Sequence, residues 1–183
     1  VATEALDRLQ PTAASHDRVM VLEVMGRDAG HIALSAGIAG GADGIIIPEI
    51  KYNFDSIIAK INQVRKDEGR NFALVIVSEA VKTLTGDKIE VEHHGGETRY
   101  GGIGHYLGEE LAKRSCCETR VTVLGHVQRG CSPIPSDRIL ASAFGVHAVN
   151  LIAEGKSDRM VAWSDRCVID VAIEKAIEAY QAV

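Results

Sequence analysis

The sequence predicts an α/β protein, a three-layer sandwich in which a mostly parallel sheet lies between two layers of helices. Short runs of apolar, β-branched residues alternate along the chain with longer segments of helical periodicity. These runs are apolar at consecutive positions, which is typical of strands buried on both faces of a parallel sheet. With 183 residues, 46% of them hydrophobic, the chain is large enough to bury such a core.

The predicted elements follow one another in a regular order. Strands are predicted at residues 19–25, 44–48, 72–78 and 120–125, with an edge strand at 160–163. Helices are predicted near 3–9 and at 31–42, 54–66, 104–113, 137–154 and 169–182. Ser136 or Asp137 is the expected cap of the helix at 137–154. The polar, glycine-rich segment at about 80–102 indicates a loop or hairpin insertion.

Composition excludes several classes of protein. The formal net charge of −5 disfavours a broad nucleic-acid surface, and no apolar run is long enough to span a membrane. The four cysteines lack zinc-ligand spacing, so we expect reduced thiols in a cytoplasmic protein: Cys116, Cys117, Cys131 and Cys167. Because the chain opens on Val1 without a targeting segment, we expect a domain cut from a longer protein.

Candidate site residues come directly after the predicted strands, where parallel sheets bind ligands. Guanidinium groups suit phosphate oxygens, and a carboxylate accepts hydrogen bonds from sugar hydroxyls. The first strand is followed by Met25, Gly26 and Arg27, the third by Glu79, and the fourth by His126, Gln128 and Arg129. The first group alone fits a tight turn with a surface arginine equally well. His126 and Arg129, flanked by glycines, favour an anion site.

Two further arginines lie at the opposite end of the predicted sheet. Arg18 precedes the first strand and Arg120 opens the fourth, so neither easily reaches the site in its own subunit. They are either ordinary surface charges or residues that serve a neighbouring subunit's pocket across a symmetric interface.

At these same segments the chain resembles the phosphofructokinase family. Residues 24–34 resemble its "EVMGR-x-x-G-x-x-AL" segment, and residues 118–130 resemble "ETR-x-TVLGH-x-QRGG". Residues 15–18, 132–133 and 137–142 continue the match, so the resemblance covers nearly the whole chain. The second glycine of "QRGG" is replaced by Cys131. The resemblance implies a phosphofructokinase-like fold.

The resemblance also implies a role for each candidate residue. Met25, Gly26 and Arg27 would contact fructose 6-phosphate, and Arg27 would also stabilise charge on the transferring phosphoryl group. Glu79 would hold sugar hydroxyls, while His126 and Arg129 would bind the 6-phosphate. Arg18 and Arg120 match arginines that reach this phosphate from the adjacent subunit, which implies a homodimer or homotetramer. No residue of the chain is assigned to a metal.

We therefore expect residues 1–183 to be the fructose 6-phosphate-binding domain of a 6-phosphofructokinase. The full enzyme would phosphorylate the 1-hydroxyl in glycolysis, using ATP or pyrophosphate with Mg²⁺. The donor-binding, amino-terminal half would be absent, so this part alone would be inactive. The alternatives are a pyrophosphate-dependent enzyme and a non-catalytic sugar phosphate sensor. A dinucleotide-binding domain is disfavoured because no proper fingerprint follows the first strand.

Overall fold

A computed structural model describes residues 1–67, 69–87, 89–93, 97–115 and 117–178. The chain divides into two compact units, the first formed by Val1–Gly130 and the second by Cys131–Gln181. The assignment of residues 1–183 to one sugar phosphate-binding domain stays a prediction. None of the helices in the described ranges is long and apolar enough to cross a membrane.

The helices and strands are numbered in chain order. The helices are α1 Ala2–Ser15, α2 His31–Ala39, α3 Phe54–Lys66, α4 Ile103–Ser115, α5 Pro135–Ala153 and α6 Ile173–Glu178. The strands are β1 Val19–Val24, β2 Gly44–Ile46, β3 Ala73–Ser78, β4 Glu90–His93, β5 Glu97–Tyr100, β6 Thr119–Leu124, β7 Arg159–Ser164 and β8 Cys167–Ala172. One turn of 3₁₀ helix, His126–Arg129, follows β6.

The first unit is built on a four-stranded sheet in the order β2-β3-β1-β6. Every pair in it is parallel, and in the shared register Val24 of β1 lies level with Ser78 of β3 and Leu124 of β6. All residues of β1 and β3 are buried, as expected for central strands covered on both faces. These two strands therefore form the centre of the core and end at the same edge of the sheet.

Helices cover both faces of this sheet. One face packs on α1 and α2, and its core includes Leu6, Leu22, Val24, Ala33 and Ile76. The other face packs on α3 and α4, and its core includes Val21, Ile61, Val75, Leu107 and Leu111. The alternation of side chains along β1 and β3 supplies both cores from the same strands. The predicted three-layer α/β sandwich with a mostly parallel sheet is confirmed.

A buried carboxylate attaches the start of α4 to β1. Glu23 is only 2% exposed, and it accepts hydrogen bonds from the backbone N–H groups of Gly102 (3.1 Å, Oε1) and Gly104 (2.7 Å, Oε2). A negative charge is favourable at a helix N-terminus, where backbone N–H groups lack helical partners. A Cβ on Gly104 would lie 2.9 Å from Oε2 of Glu23, so glycine allows this close approach.

The segment at 80–102 contains the antiparallel pair β4 and β5. The second unit has its own two-stranded antiparallel sheet, β7 with β8, and the predicted strand at 160–163 lies within β7. The helix predicted at 169–182 is wrong at residues 169–172, which belong to β8. Asp165 and Arg166 both have positive φ, 50° and 65°, and so form the two-residue turn that joins twisted hairpin strands. Residues 179–182 lie outside the described part.

The predicted cap of α5 is also wrong. The helix begins at Pro135, and the residue before it is Ile134, so neither Ser136 nor Asp137 occupies the cap position. Proline's fixed φ suits the first helical position. Asp137 instead reaches back from the first turn, where its Oδ2 accepts the backbone N–H of Ile134 at 3.1 Å.

Three of the cysteines have free thiols. Cys117 is buried, whereas Cys131 and Cys167 are exposed. Cys116 lies outside the described residues.

Candidate functional site

The candidate site residues lie where three neighbouring strands end. Because β3, β1 and β6 are adjacent, parallel and level at their carboxyl ends, the segments that follow them share one edge. Adjacent strands lie about 4.8 Å apart, so the three exits lie within roughly 10 Å of one another. The structure thus brings together at this edge the predicted residues Met25, Gly26, Arg27, Glu79, His126 and Arg129.

The exit of β1 is hydrogen-bonded to the exit of β3. The backbone N–H of Glu79 donates to the carbonyl of Val24 (2.9 Å), and that of Gly26 donates to Oε1 of Glu79 (3.1 Å). The fully buried hydroxyl of Ser78 lies 3.3 Å from the carbonyl oxygens of both Gly26 and Ala29. The segment that carries Arg27 is therefore held by β3 at several points.

Gly26 is required by close packing. A Cβ built on it would lie 2.5 Å from the carbonyl oxygen of Ala29 and 2.6 Å from Oγ of Ser78. Real Cβ atoms do not approach other atoms so closely, so any side chain here would push the segment away from β3.

The exit of β6 is a tight turn that presents two basic side chains. His126 and Arg129 are three residues apart in a 3₁₀ helix, which has three residues per turn, so both lie on the same side of it. The side-chain amide of Gln128 donates to the carbonyls of Leu124 and Gly125 and so closes the turn onto the strand. Both basic side chains are exposed.

The chemistry of this edge is that of an anion site with one carboxylate. The guanidinium groups of Arg27 and Arg129 are exposed, and Glu79 is half-buried beside Gly26. Guanidinium groups bind phosphate oxygens through paired, charge-assisted hydrogen bonds. A carboxylate offers only acceptors, which suits hydroxyl donors. The edge can therefore bind a phosphorylated, hydroxyl-rich molecule.

Arg18 and Arg120 lie together at the opposite edge of the sheet. Glu118 joins them: its Oε2 is 3.1 Å from Nε of Arg18, and its Oε1 pairs with the guanidinium of Arg120. The hydrogen bond from Arg18 lowers the pKa of the Glu118 carboxyl below its ordinary value, and the charge of Arg120 lowers it further by a smaller amount. The six residues of β1, at about 3.3 Å each, separate these arginines from the first site by roughly 20 Å.

Sequence reasoning missed the residues that support the site. Ser78 ends an apolar run in β3, and this polar residue at a strand end is the one signal that could have marked it. The carboxylate of Glu118 between two arginines could have been found from the register of β1 with β6. Within the described ranges, no three His, Cys, Asp or Glu side chains gather as potential metal ligands.

Fold and site together define a class, the three-layer α/β proteins that collect basic side chains at the carboxyl edge of a parallel sheet, which is where such sheets bind ligands. Comparison with known families makes the assignment specific. The chain belongs to the phosphofructokinase family, whose model matches residues 1–152. This confirms the family resemblance seen in the sequence.

Named relatives agree with this family. Over 183 residues the chain is 64% identical to ATP-dependent 6-phosphofructokinase 1 of Synechocystis sp., covering 100% of this chain and 50% of that protein. It is 61% identical to the protein of the same name from Nostoc sp., covering 100% of this chain and 51% of that protein. The chain thus spans about half the length of these curated relatives.

Solved structures agree on the fold. Phosphofructokinase from Saccharomyces cerevisiae superposes with a TM-score of 0.80 at 30% identity, covering 97% of this chain and 22% of that chain. A pyrophosphate-dependent phosphofructokinase from Nitrosospira multiformis superposes with a TM-score of 0.75 at 23% identity, covering 95% of this chain and 45% of that one. At that identity the second match speaks for the fold alone.

Proposed function

We propose that this chain is the fructose 6-phosphate-binding half of an ATP-dependent 6-phosphofructokinase, a cytoplasmic enzyme of glycolysis. The observation that carries the proposal is the common edge shared by Arg27, Glu79 and Arg129, which follow three neighbouring strands. The relatives that are 64% and 61% identical are named ATP-dependent, which favours ATP over pyrophosphate as the donor.

Each residue at the edge receives a role that its position supports. His126 and Arg129, on one side of a single turn, bind the 6-phosphate. Glu79 accepts hydrogen bonds from sugar hydroxyls, and the backbone of Met25 and Gly26 lies against the sugar. Arg27 faces the phosphoryl group in transfer. Phosphoryl transfer depends on positioning and charge neutralisation, so these residues act without covalent chemistry.

Mg²⁺ neutralises charge on the donor phosphates when it is bound with ATP. No three His, Cys, Asp or Glu side chains gather among the described residues of this chain, and we assign none of its residues to the metal. We likewise assign no general base here. Donor, metal and base would be held by protein beyond the part that this chain represents, so the chain alone is expected to be inactive.

An exposed apolar helix, α5, favours a functional protein in which further polypeptide covers this part of the chain. Leu151 is the single described residue of α5 that is buried, although most of this helix is apolar. Four of its large apolar side chains are well exposed: Ile139 (71%), Val146 (64%), Val149 (64%) and Ile152 (74%). Val146, Val149 and Ile152 recur at three-residue spacing and are therefore neighbours on the helix surface. An exposed apolar patch of this kind is usually covered in the functional protein.

The arginines at the other edge support an oligomer. Arg18 and Arg120 lie roughly 20 Å from the site in their own subunit, by the rise of about 3.3 Å per residue in β1. In a symmetric homodimer or homotetramer they reach the 6-phosphate of a neighbouring subunit.

The proposal is tested by grafting this chain into the Synechocystis enzyme in place of the half to which it aligns. The chimera should phosphorylate fructose 6-phosphate. Arg129→Ala should raise the KM for fructose 6-phosphate by about 10- to 150-fold, which corresponds to a charge-assisted contact of about 1.5–3 kcal/mol. The KM for ATP should hardly change.

The matched control is Arg8→Ala, since Arg8 is a well-exposed arginine on α1. It should leave both KM values unchanged. Equal losses of affinity for both substrates in Arg129→Ala would reject the assignment of the edge. A chimera that binds fructose 6-phosphate without turning it over would favour the sensor alternative instead.

A further inference from the structure

We propose that Ser78 is a positioning residue of the sugar phosphate edge. Its hydroxyl fixes the segment Met25–Arg27 and thereby sets where the guanidinium of Arg27 lies. The inference rests on the proposed function for the role of Arg27. The positioning itself rests only on the contacts between β3 and the segment that follows β1.

The first support is the geometry of the hydroxyl. Ser78 is the last residue of β3 and is fully buried. Its Oγ lies 3.3 Å from the carbonyl oxygens of Gly26 and of Ala29, and the backbone N–H of Ala80 approaches it at 3.5 Å. One side chain thus contacts two backbone carbonyls on either side of Arg27.

The second support is the chemistry of its surroundings. Ser78 points to the same face of β3 as Leu74 and Ile76, which are buried among apolar side chains. A hydroxyl in such a place is unfavourable unless it is hydrogen-bonded, and an apolar residue would bury more surface. The loop carbonyls explain why a hydroxyl is suitable there, since without it they would lose a buried donor.

The third support is the closeness of the packing. A Cβ on Gly26 would lie 2.6 Å from Oγ of Ser78, so the hydroxyl contacts the residue directly before Arg27. Gly26 also donates to Glu79, and Glu79 donates to Val24. The segment cannot shift without breaking several of these contacts. A guanidinium held in place before the ligand arrives loses less conformational entropy on binding.

Two consequences follow for the enzyme. Ser78→Ala should leave the carbonyls of Gly26 and Ala29 without this donor and let the segment relax. The KM for fructose 6-phosphate should rise by about tenfold, which corresponds to one lost buried hydrogen bond. Because Arg27 also faces the transferring phosphoryl group, kcat should fall as well, while the KM for ATP stays within about twofold.

The experiment uses the chimera with the Synechocystis half and measures both KM values, kcat and hydrogen exchange in residues 25–30. Ser115→Ala is the matched control, because its hydroxyl donates to the carbonyl of Leu111 (2.6 Å) at the far end of α4. Ser78→Ala should speed exchange in residues 25–30, and Ser115→Ala should not. Ser78→Thr keeps the hydroxyl but adds a methyl to a fully buried site, so it should lower stability while keeping exchange in residues 25–30 slower than Ser78→Ala does.

A second pair covers the case in which Ser78→Ala does not fold. Ser78→Thr and Ser78→Val have side chains of nearly equal volume and differ in the hydroxyl. If the valine variant matches the threonine variant in exchange and in the KM for fructose 6-phosphate, the proposal is overturned. If the parent chimera shows no saturation by fructose 6-phosphate, the proposed function is lost, while hydrogen exchange still decides the positioning.

Discussion

The backbone N–H of Gly26 donates a 3.1 Å hydrogen bond to Oε1 of Glu79, which lies 53 residues further along the chain. This contact links the segments that follow the two central strands of the sheet. Arg27, next to Gly26, is therefore held at a fixed place relative to the Glu79 carboxylate. The two segments are held together by contacts within the protein, and such preorganisation lowers the entropic cost of binding a ligand.

The first prediction concerns Gly26. Gly26→Ala should destabilise the protein by about 1–3 kcal/mol, because the added methyl overlaps the Ala29 carbonyl and the Ser78 hydroxyl. It should also raise the KM for fructose 6-phosphate. Gly125→Ala is the control at the same edge, since a Cβ there meets nothing within 4 Å. Thermal unfolding and kinetics of both chimeras test this, and equal behaviour of the two variants would show that packing at Gly26 is unimportant.

The second prediction concerns Glu23. Glu23→Gln should destabilise the protein by about 1–3 kcal/mol, because a buried acceptor of the N–H groups of Gly102 and Gly104 loses its charge and gains a misplaced donor. Glu110→Gln is the control, since Glu110 pairs with Lys113 and Arg114 at the surface of α4. Its effect should be small. The urea midpoint of unfolding measures both, and an unchanged midpoint in Glu23→Gln would contradict the role of the buried carboxylate.

The third prediction concerns pH. The pKa of Tyr52 is raised from 10.0 to about 12, mainly by burial and to a smaller extent by the nearby Tyr106. Because the folded pKa lies above the unfolded one, this contribution to stability is complete below pH 10 and is lost as the pH rises towards 12. In an alkaline absorbance titration Tyr52 should ionise at a higher pH than an ordinary tyrosine, and Tyr52→Phe should remove that component. A titration curve of unchanged shape in the variant would contradict the assignment.

The sheet could be predicted because its strands are continuous apolar runs rich in β-branched residues, such as residues 73–77, and this composition favours a buried parallel strand. The apolar pattern did not identify the strand at residues 169–172, which the sequence analysis assigns to a helix. A short apolar segment fits a buried helix face or a strand equally, and the two positive-φ residues that form the turn before it, Asp165 and Arg166, are not glycine or asparagine.

The candidate edge could be predicted in part, since it depends on which residues follow each strand. The residues that hold this edge in place could not be predicted. Ser78 contacts Gly26 and Ala29, which lie 52 and 49 residues away in the chain, and the level register of β1 with β3 brings them together. Nothing local in the sequence specifies that register, because it is set by the packing of whole strands between two layers of helices.

The last prediction tests whether the two edges of the sheet belong to one shared site. Arg18 is held beside Glu118 at the amino edge, about 20 Å from Arg129 by the length of β1. Arg18→Ala and Arg129→Ala should each weaken fructose 6-phosphate binding when present in every subunit. Consider a hybrid dimer of one Arg18→Ala subunit and one Arg129→Ala subunit. The pocket of the Arg18→Ala subunit keeps its own Arg129 and receives Arg18 of the partner subunit. The other pocket lacks both arginines, so the hybrid should recover about half of the parent activity at low fructose 6-phosphate.

If Arg18 acted within its own subunit, every pocket of the hybrid would lack one arginine, and no activity would return. Purified hybrids carrying a different affinity tag on each subunit distinguish the two outcomes.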